Sequence, residues 1–304
     1  MEVFPPQGFL EFIAPETNRL GFILRYLRGL GLRPEVQESG RARNVFVRFA
    51  SAAGRAVDYG SRPLCLSAHY DRERRTPGAN DNSAACFELL DFCARLVEAP
   101  PAAEILVAFT DAEEAASSGG YQAQGSFAFG ALLVNELKLE PWVFSLDCCG
   151  RGDCLILSSA PYSAFTTNGK PPSIPLLRRL DPPQEWTRAF LGAQFPGAWF
   201  EFPTPYSETL GYLAAGVGAV ALSTLPKDEA LAYKSALAEN PIIEHILLKR
   251  EFRTEAGQSL LRKSLPETWR RLHGNADTPE SLDPEAFSLM RRTLEKLKNA
   301  RLSE

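Results

Sequence analysis

Pro63-Leu64-Cys65-Leu66-Ser67-Ala68-His69-Tyr70-Asp71 and Gly78-Ala79-Asn80-Asp81-Asn82-Ser83 frame the reading of this 304-residue chain. The run Pro63 to Ala68 has the length and apolar content of a buried strand, and it leads straight into His69. A glycine-bearing turn follows, then a helical pattern from Asn82 to Val97 with Cys86, Leu89, Leu90, Cys93, Leu96 and Val97 as its apolar stripe. Strand, polar loop, then helix is the unit of a parallel or mixed sheet.

The same alternation runs outward in both directions. Phe9 to Leu32 has helical spacing and breaks at Gly31, and Asn44 to Phe49 alternates as a strand. Glu104 to Thr110 is a second buried strand with Asp111-Ala112-Glu113-Glu114 at its end. After a glycine-bearing stretch and a helix reaching Leu139, Trp142 to Leu146 is a strand ending at Asp147, and Cys154 to Leu157 is another. Residues 160–206, rich in Pro, Gly and aromatics, are expected to be loops with short helices, with Phe165, Trp186, Phe195, Trp199, Phe200 and Tyr206 available to line a pocket. Glu208 to Ala215 reads as a short helix, Val217 to Leu222 as a strand, and Pro284 to Leu302 as a closing helix. The expectation is one α/β domain over residues 1–304: a mixed, mainly parallel central sheet with helices on both faces. A helical insertion is expected at 226–271 as a lid or subunit contact.

Composition excludes several classes of function. Apolar content of 45% and charged content of 23% are those of a globular domain, and a net charge of −4 leaves no basic footprint for nucleic acid. No apolar run approaches the roughly 20 residues of a membrane span. The start, Met1 to Pro6, lacks the pattern of a signal peptide. Six cysteines without a spaced framework fit reduced thiols, so a cytoplasmic setting is expected. There is no Gly-rich phosphate loop and no nucleophile elbow. A homo-oligomer is left open.

The polar residues at strand ends form a pattern of their own. Imidazole nitrogen and carboxylate oxygen are the donors of catalytic zinc sites. Two dications a few ångströms apart need an anion between them, and Asp81, in a tight turn before a helix, can turn one oxygen to each. His69 and Asp147 then suit one ion, and Glu114 and His273 the other. Asp71, two residues after His69, is placed to orient the imidazole. Glu113, beside a ligand but projecting differently, is placed as a general base for water. Cysteine ligation by Cys148 and Cys149 is disfavoured because the cysteines lie in core-like runs.

As a set, His-Tyr-Asp at 69–71, Gly-Ala-Asn-Asp-Asn-Ser at 78–83, Asp-Ala-Glu-Glu at 111–114, Leu-Asp at 146–147 and His-x-x-x-Asp-Thr at 273–278 resemble the co-catalytic zinc aminopeptidase family, the bacterial leucyl-aminopeptidase-like group that also contains glutaminyl cyclases. The resemblance implies a zinc-exopeptidase-like fold and two zinc ions, with Asp81 bridging them and a shared hydroxide as nucleophile. Glu113 would be the base, and the substrate a peptide with a free N-terminus. For a cyclase-like relative it implies one zinc on Asp81, Glu114 and His273, acting on N-terminal Gln. Cyclases commonly have Trp directly before the last histidine; here Leu272 stands there and Trp269 lies one turn earlier, which favours the peptidase. A non-catalytic relative is suggested only by Ser207-Glu208-Thr209, where many relatives have Ser-Asp-His, which puts support on that side of the site in question. Ser83-Ala84 replaces the usual Ser-Gly.

Overall fold

A computed structural model describes residues 4–51, 62–114, 120–166, 170, 172–205, 207–248 and 254–303. Eight strands form one sheet: β1 (Glu35–Ser39), β2 (Ala42–Phe49), β3 (Leu64–His69), β4 (Ile105–Thr110), β5 (Trp142–Leu146), β6 (Cys154–Ser158), β7 (Trp199–Phe202) and β8 (Gly218–Leu225). Their order is β1-β2-β4-β3-β5-β8-β6-β7. The central neighbours β4-β3-β5-β8 are parallel, as are β6 and β7, while β1-β2, β2-β4 and β6-β8 run antiparallel.

Side chains alternate across a strand, and the core divides accordingly. Leu64, Leu66 and Ala68 of β3, Ile105, Val107 and Phe109 of β4, and Trp142, Phe144 and Leu146 of β5 face one layer. That layer includes the helices Phe9–Ile13, Arg19–Gly29, Ala84–Glu98 and Pro284–Lys298. Cys65, Leu106, Ala108 and Val143 face the other, against the helices Gly125–Asn135 and Thr209–Ala215. Burial on both faces is why these strands read as unbroken apolar runs.

Three expectations change. Residues 160–206 hold a 21-residue helix, Ile174–Gln194, and the strand β7. Pro182 and Pro183 lie inside that helix and hid it, since proline ordinarily breaks a helical pattern. Leu180 joins the second core layer and Leu191 the first, so tertiary packing outweighs the missing N–H groups. The edge strand β1 had no signal because its residues are mostly exposed and polar. The helix expected from Asn82 begins at Ala84, because Asp81 and Asn82 keep non-helical backbone.

Within 226–271 the helices Lys227–Glu239, Ile242–Leu248, Glu255–Ser264 and Glu267–Arg270 are present. Ala230, Tyr233, Ile243 and Trp269 bury against Cys154, Ile156 and Phe202. Tyr206 and residues 1–3 lie outside the described residues. Among the described residues no helix is long and apolar enough to cross a membrane. All six cysteines are buried without a disulfide.

Candidate metal centre

Three adjacent parallel strands, β4, β3 and β5, deliver their C-terminal ends to one edge of the sheet, where sites in such folds form. β3 ends in His69, β4 runs into Asp111–Glu114, and β5 into Asp147. Asp81, from the turn before the helix Ala84–Glu98, sits between two imidazoles: its Oδ1 is 3.3 Å from His69 Nε2 and its Oδ2 is 3.1 Å from His273 Nε2. Asp147 Oδ1 lies 3.8 Å from His69 Nε2, and Glu114 Oε2 lies 3.3 Å from His273 Nε2. The donor atoms of His69, Asp81 and Asp147 fall within 4.8 Å of one another, and so do those of Asp81, Glu114 and His273. Glu113 joins His69 and Glu114 in a third such group. All the residues singled out for metal and base thus converge, although they span more than two hundred positions of sequence.

Each segment is held by its backbone. Asp71 accepts hydrogen bonds from the N–H groups of Glu113 and Glu114 at 3.2 and 3.0 Å. Its contact to His69 Nδ1, at 3.4 Å, falls outside hydrogen-bond geometry, so its carboxylate serves the acidic turn first. Asp277 does the corresponding work for the Asp81 turn, accepting from Asn80 N at 2.7 Å and Asp81 N at 3.1 Å. Asn82 ties that turn to β5, donating to Leu146 O at 2.8 Å and accepting from Cys148 N at 3.2 Å. Gly78 turns the chain with φ +60°, and a Cβ there would meet Asp81 O at 2.7 Å. Ala112, Cys148 and His273 also adopt positive φ without being glycine. Left-handed backbone at non-glycine residues clusters at functional sites because the surroundings must impose it.

The electrostatics call for positive charge. Burial works against a charged His69, yet Asp147, Asp71 and Asp81 together hold its pKa well above the ordinary imidazole value. Burial likewise opposes ionisation of Asp81, but His273 and His69 hold its carboxyl well below the usual range. The hydrogen bond to Asp81 lifts His273 to about 9. Burial pushes Glu113 well above the carboxylate range, and burial with the neighbouring Asp81 pushes Glu114 up to about 7. Two imidazoles and several oxygen donors, with Glu114 Oε1 buried and unpartnered, fit the donor set of zinc. None of the three groups contains a cysteine: Cys148 Sγ donates to the ligand candidate Asp147 at Oδ1, 3.3 Å away, and Cys149 is fully buried in the core.

Sequence reasoning assigned no role to Asn80, Asn82, Gln124, Glu208 or Asp277. Gln124, buried, donates to Glu113 Oε1 at 3.4 Å. Asp277 carried a signal, since it stands in the His-x-x-x-Asp pattern; Gln124 carried none.

Residues 44–180 match the sequence model of peptidase family M28, which bears out the resemblance read from the motifs. No curated protein matches the sequence at a significant level. Among solved structures, a Zn-dependent exopeptidase from Parabacteroides distasonis is similar with TM-score 0.60 at 16% identity, over 96% of this chain and 95% of that one. A glutaminyl cyclase from Tannerella forsythia gives TM-score 0.59 at 18% identity, over 96% and 95%. BSAP, a zinc aminopeptidase from Bacillus subtilis, gives 0.53 at 15% identity, over 86% of this chain and 50% of that one. At such identities the likeness is one of fold.

Proposed function

We propose that this chain is a zinc-dependent aminopeptidase. The observation that carries the reading is the pair of triads, His69-Asp81-Asp147 and Asp81-Glu114-His273, sharing one carboxylate. Zinc bound there would supply Lewis acidity and lower the pKa of water toward about 7. His69 and Asp147 would hold one ion, Glu114 and His273 the second, and Asp81 both. Glu113 takes the proton of the attacking water and returns it to the leaving amine, the role of a carboxylate beside the ligands that is spared from ligation. Asp71 holds Glu113 and Glu114 in register by their backbone N–H groups. The acidic cluster draws in the α-ammonium of a peptide N-terminus.

A second reading, cyclisation of N-terminal Gln on a single zinc, is favoured by the near full-length likeness to the Tannerella cyclase. Zinc content of protein purified without added metal separates the two, read beside release of aminoacyl fluorophores and of ammonia from an N-terminal Gln peptide. Two zincs per chain with aminoacyl release are expected. One zinc with ammonia release would establish the cyclase, and no zinc uptake would overturn both. Glu113→Ala is expected to keep its zinc and lose about 10²- to 10⁴-fold in kcat; full activity would remove Glu113 from its role.

A further inference from the structure

Ser67, Thr110 and Ser145 stand in otherwise apolar strand ends, and all three are fully buried. A buried hydroxyl costs stability unless it finds a partner. These three share one face of the sheet: Ser67 pairs in register with Ser145, and Thr110 with His69. Their common partner is Glu208, 1% exposed, at the start of the helix Thr209–Ala215. Ser67 Oγ donates to Glu208 Oε1 at 2.6 Å and Ser145 Oγ to the same oxygen at 3.1 Å, while Thr110 Oγ1 donates to Oε2. Tyr212, one turn along the helix, places its hydroxyl 2.7 Å from Ser67 Oγ. Since the Ser67 proton is directed to Glu208, Tyr212 is the donor there. Gly211 lets this helix pack closely on the helix Gly125–Asn135, since a Cβ would meet Ser126 Oγ at 2.2 Å and Phe127 N at 2.8 Å.

We propose that Glu208 is a positioning residue for the metal centre, one carboxylate that ties together the ends of β3, β4 and β5. Two residues beyond Ser67 is His69; directly beyond Thr110 begins Asp111–Glu114; two residues beyond Ser145 is Asp147. The spacing of donors that come from three strands is therefore set by one anion lying beneath them. Ser207-Glu208-Thr209, which departs from the pattern of many relatives, then keeps an acid whose support reaches the site through hydroxyls. This inference rests on the zinc reading above.

The test is Glu208→Gln, which keeps the shape and removes the charge and one acceptor. Zinc affinity is measured by chelator competition on stripped protein, with thermal unfolding of the metal-free form and kcat and KM after reloading. The expected result is a metal-free Tm close to that of the unmutated protein, a zinc Kd raised about tenfold or more, and a kcat lowered with KM unchanged. A folded Glu208→Gln protein with unaltered zinc affinity and kcat would overturn the inference. Should that variant not fold, Ser67→Ala removes a single donor and is expected to raise the zinc Kd about threefold or more; an unaltered Kd would overturn the inference equally. If the unmutated protein takes up no zinc, the zinc reading falls and this inference with it. If it takes up zinc and the variants bind it as tightly, this inference alone falls.

Discussion

Glu88 shows how much a single side chain can matter away from the site. It lies on the inner face of the helix Ala84–Glu98, 5% exposed, with neither carboxylate oxygen partnered among the described residues. Burial, reinforced by Asp91 and opposed by Arg95, raises its pKa well above the ordinary 4.5. The folded protein therefore keeps the proton in a range where the unfolded chain releases it. Stability falls by about 1.4 kcal/mol per pH unit as pH rises above the unfolded value, and this cost is absent below it. Glu88→Gln removes the linkage. The variant is expected to be more stable than the unmutated protein at pH 7, with the margin closing toward pH 4; chemical denaturation across that range checks it. A margin independent of pH would show that Glu88 is ionised in the fold. By contrast, Asp81 is buried yet ionised, because two imidazoles face its two oxygens.

At the scale of elements, the acidic turn after β4 depends on how closely the helix Gly125–Asn135 approaches it. Gly125 N donates to Asp111 O at 2.9 Å, and a Cβ on Gly125 would lie 2.3 Å from that same oxygen and 2.4 Å from Asn44 Oδ1. Asn44, fully buried on β2, accepts from Asp111 N at 3.0 Å and donates to Gly125 O at 2.9 Å, closing the arrangement. Neither backbone nor buried amide can yield cheaply. Gly125→Ala is expected to destabilise the fold by roughly 1–3 kcal/mol, read as a lower denaturation midpoint. It should also disturb Glu113 and Glu114, which follow Asp111 on the same turn. An unchanged midpoint would mean that the turn slides freely past the helix. The proline-bearing helix Ile174–Gln194 shows a different balance. There the packed side chains outweigh local preference, and Arg188 anchors it to β7 through Glu201 at 2.6 and 2.8 Å.

For the whole molecule, the sheet order brings β4, β3 and β5 side by side, so that loops far apart in sequence crowd their acids into one place. That crowding opposes folding unless cations offset it. A ligand that binds only the folded state stabilises it by about 4 kcal/mol at a thousandfold excess over Kd. Stripping zinc with a chelator is expected to lower Tm by several degrees, with recovery on adding zinc back. A Tm indifferent to both would argue that the acids are satisfied without metal.

Periodicity and strand-end residues were enough to place β3, β4 and β5 and the helix behind the Asp81 turn, and to single out seven side chains that the fold then brings together, because each signal is local. Buried parallel strands must be apolar, tight turns need glycine, and ligands must be ionisable. Folding decided what no window of sequence contains. The 21-residue helix was masked by Pro182 and Pro183, and β1 by its polarity. Glu208 meets Ser67 across 141 positions, and Asp277 meets Asn80 across 197. Hydrogen bonds between distant segments exist only once the sheet has set their register. The chain's own order therefore determined which chemistry is available, and packing determined which groups hold it in place.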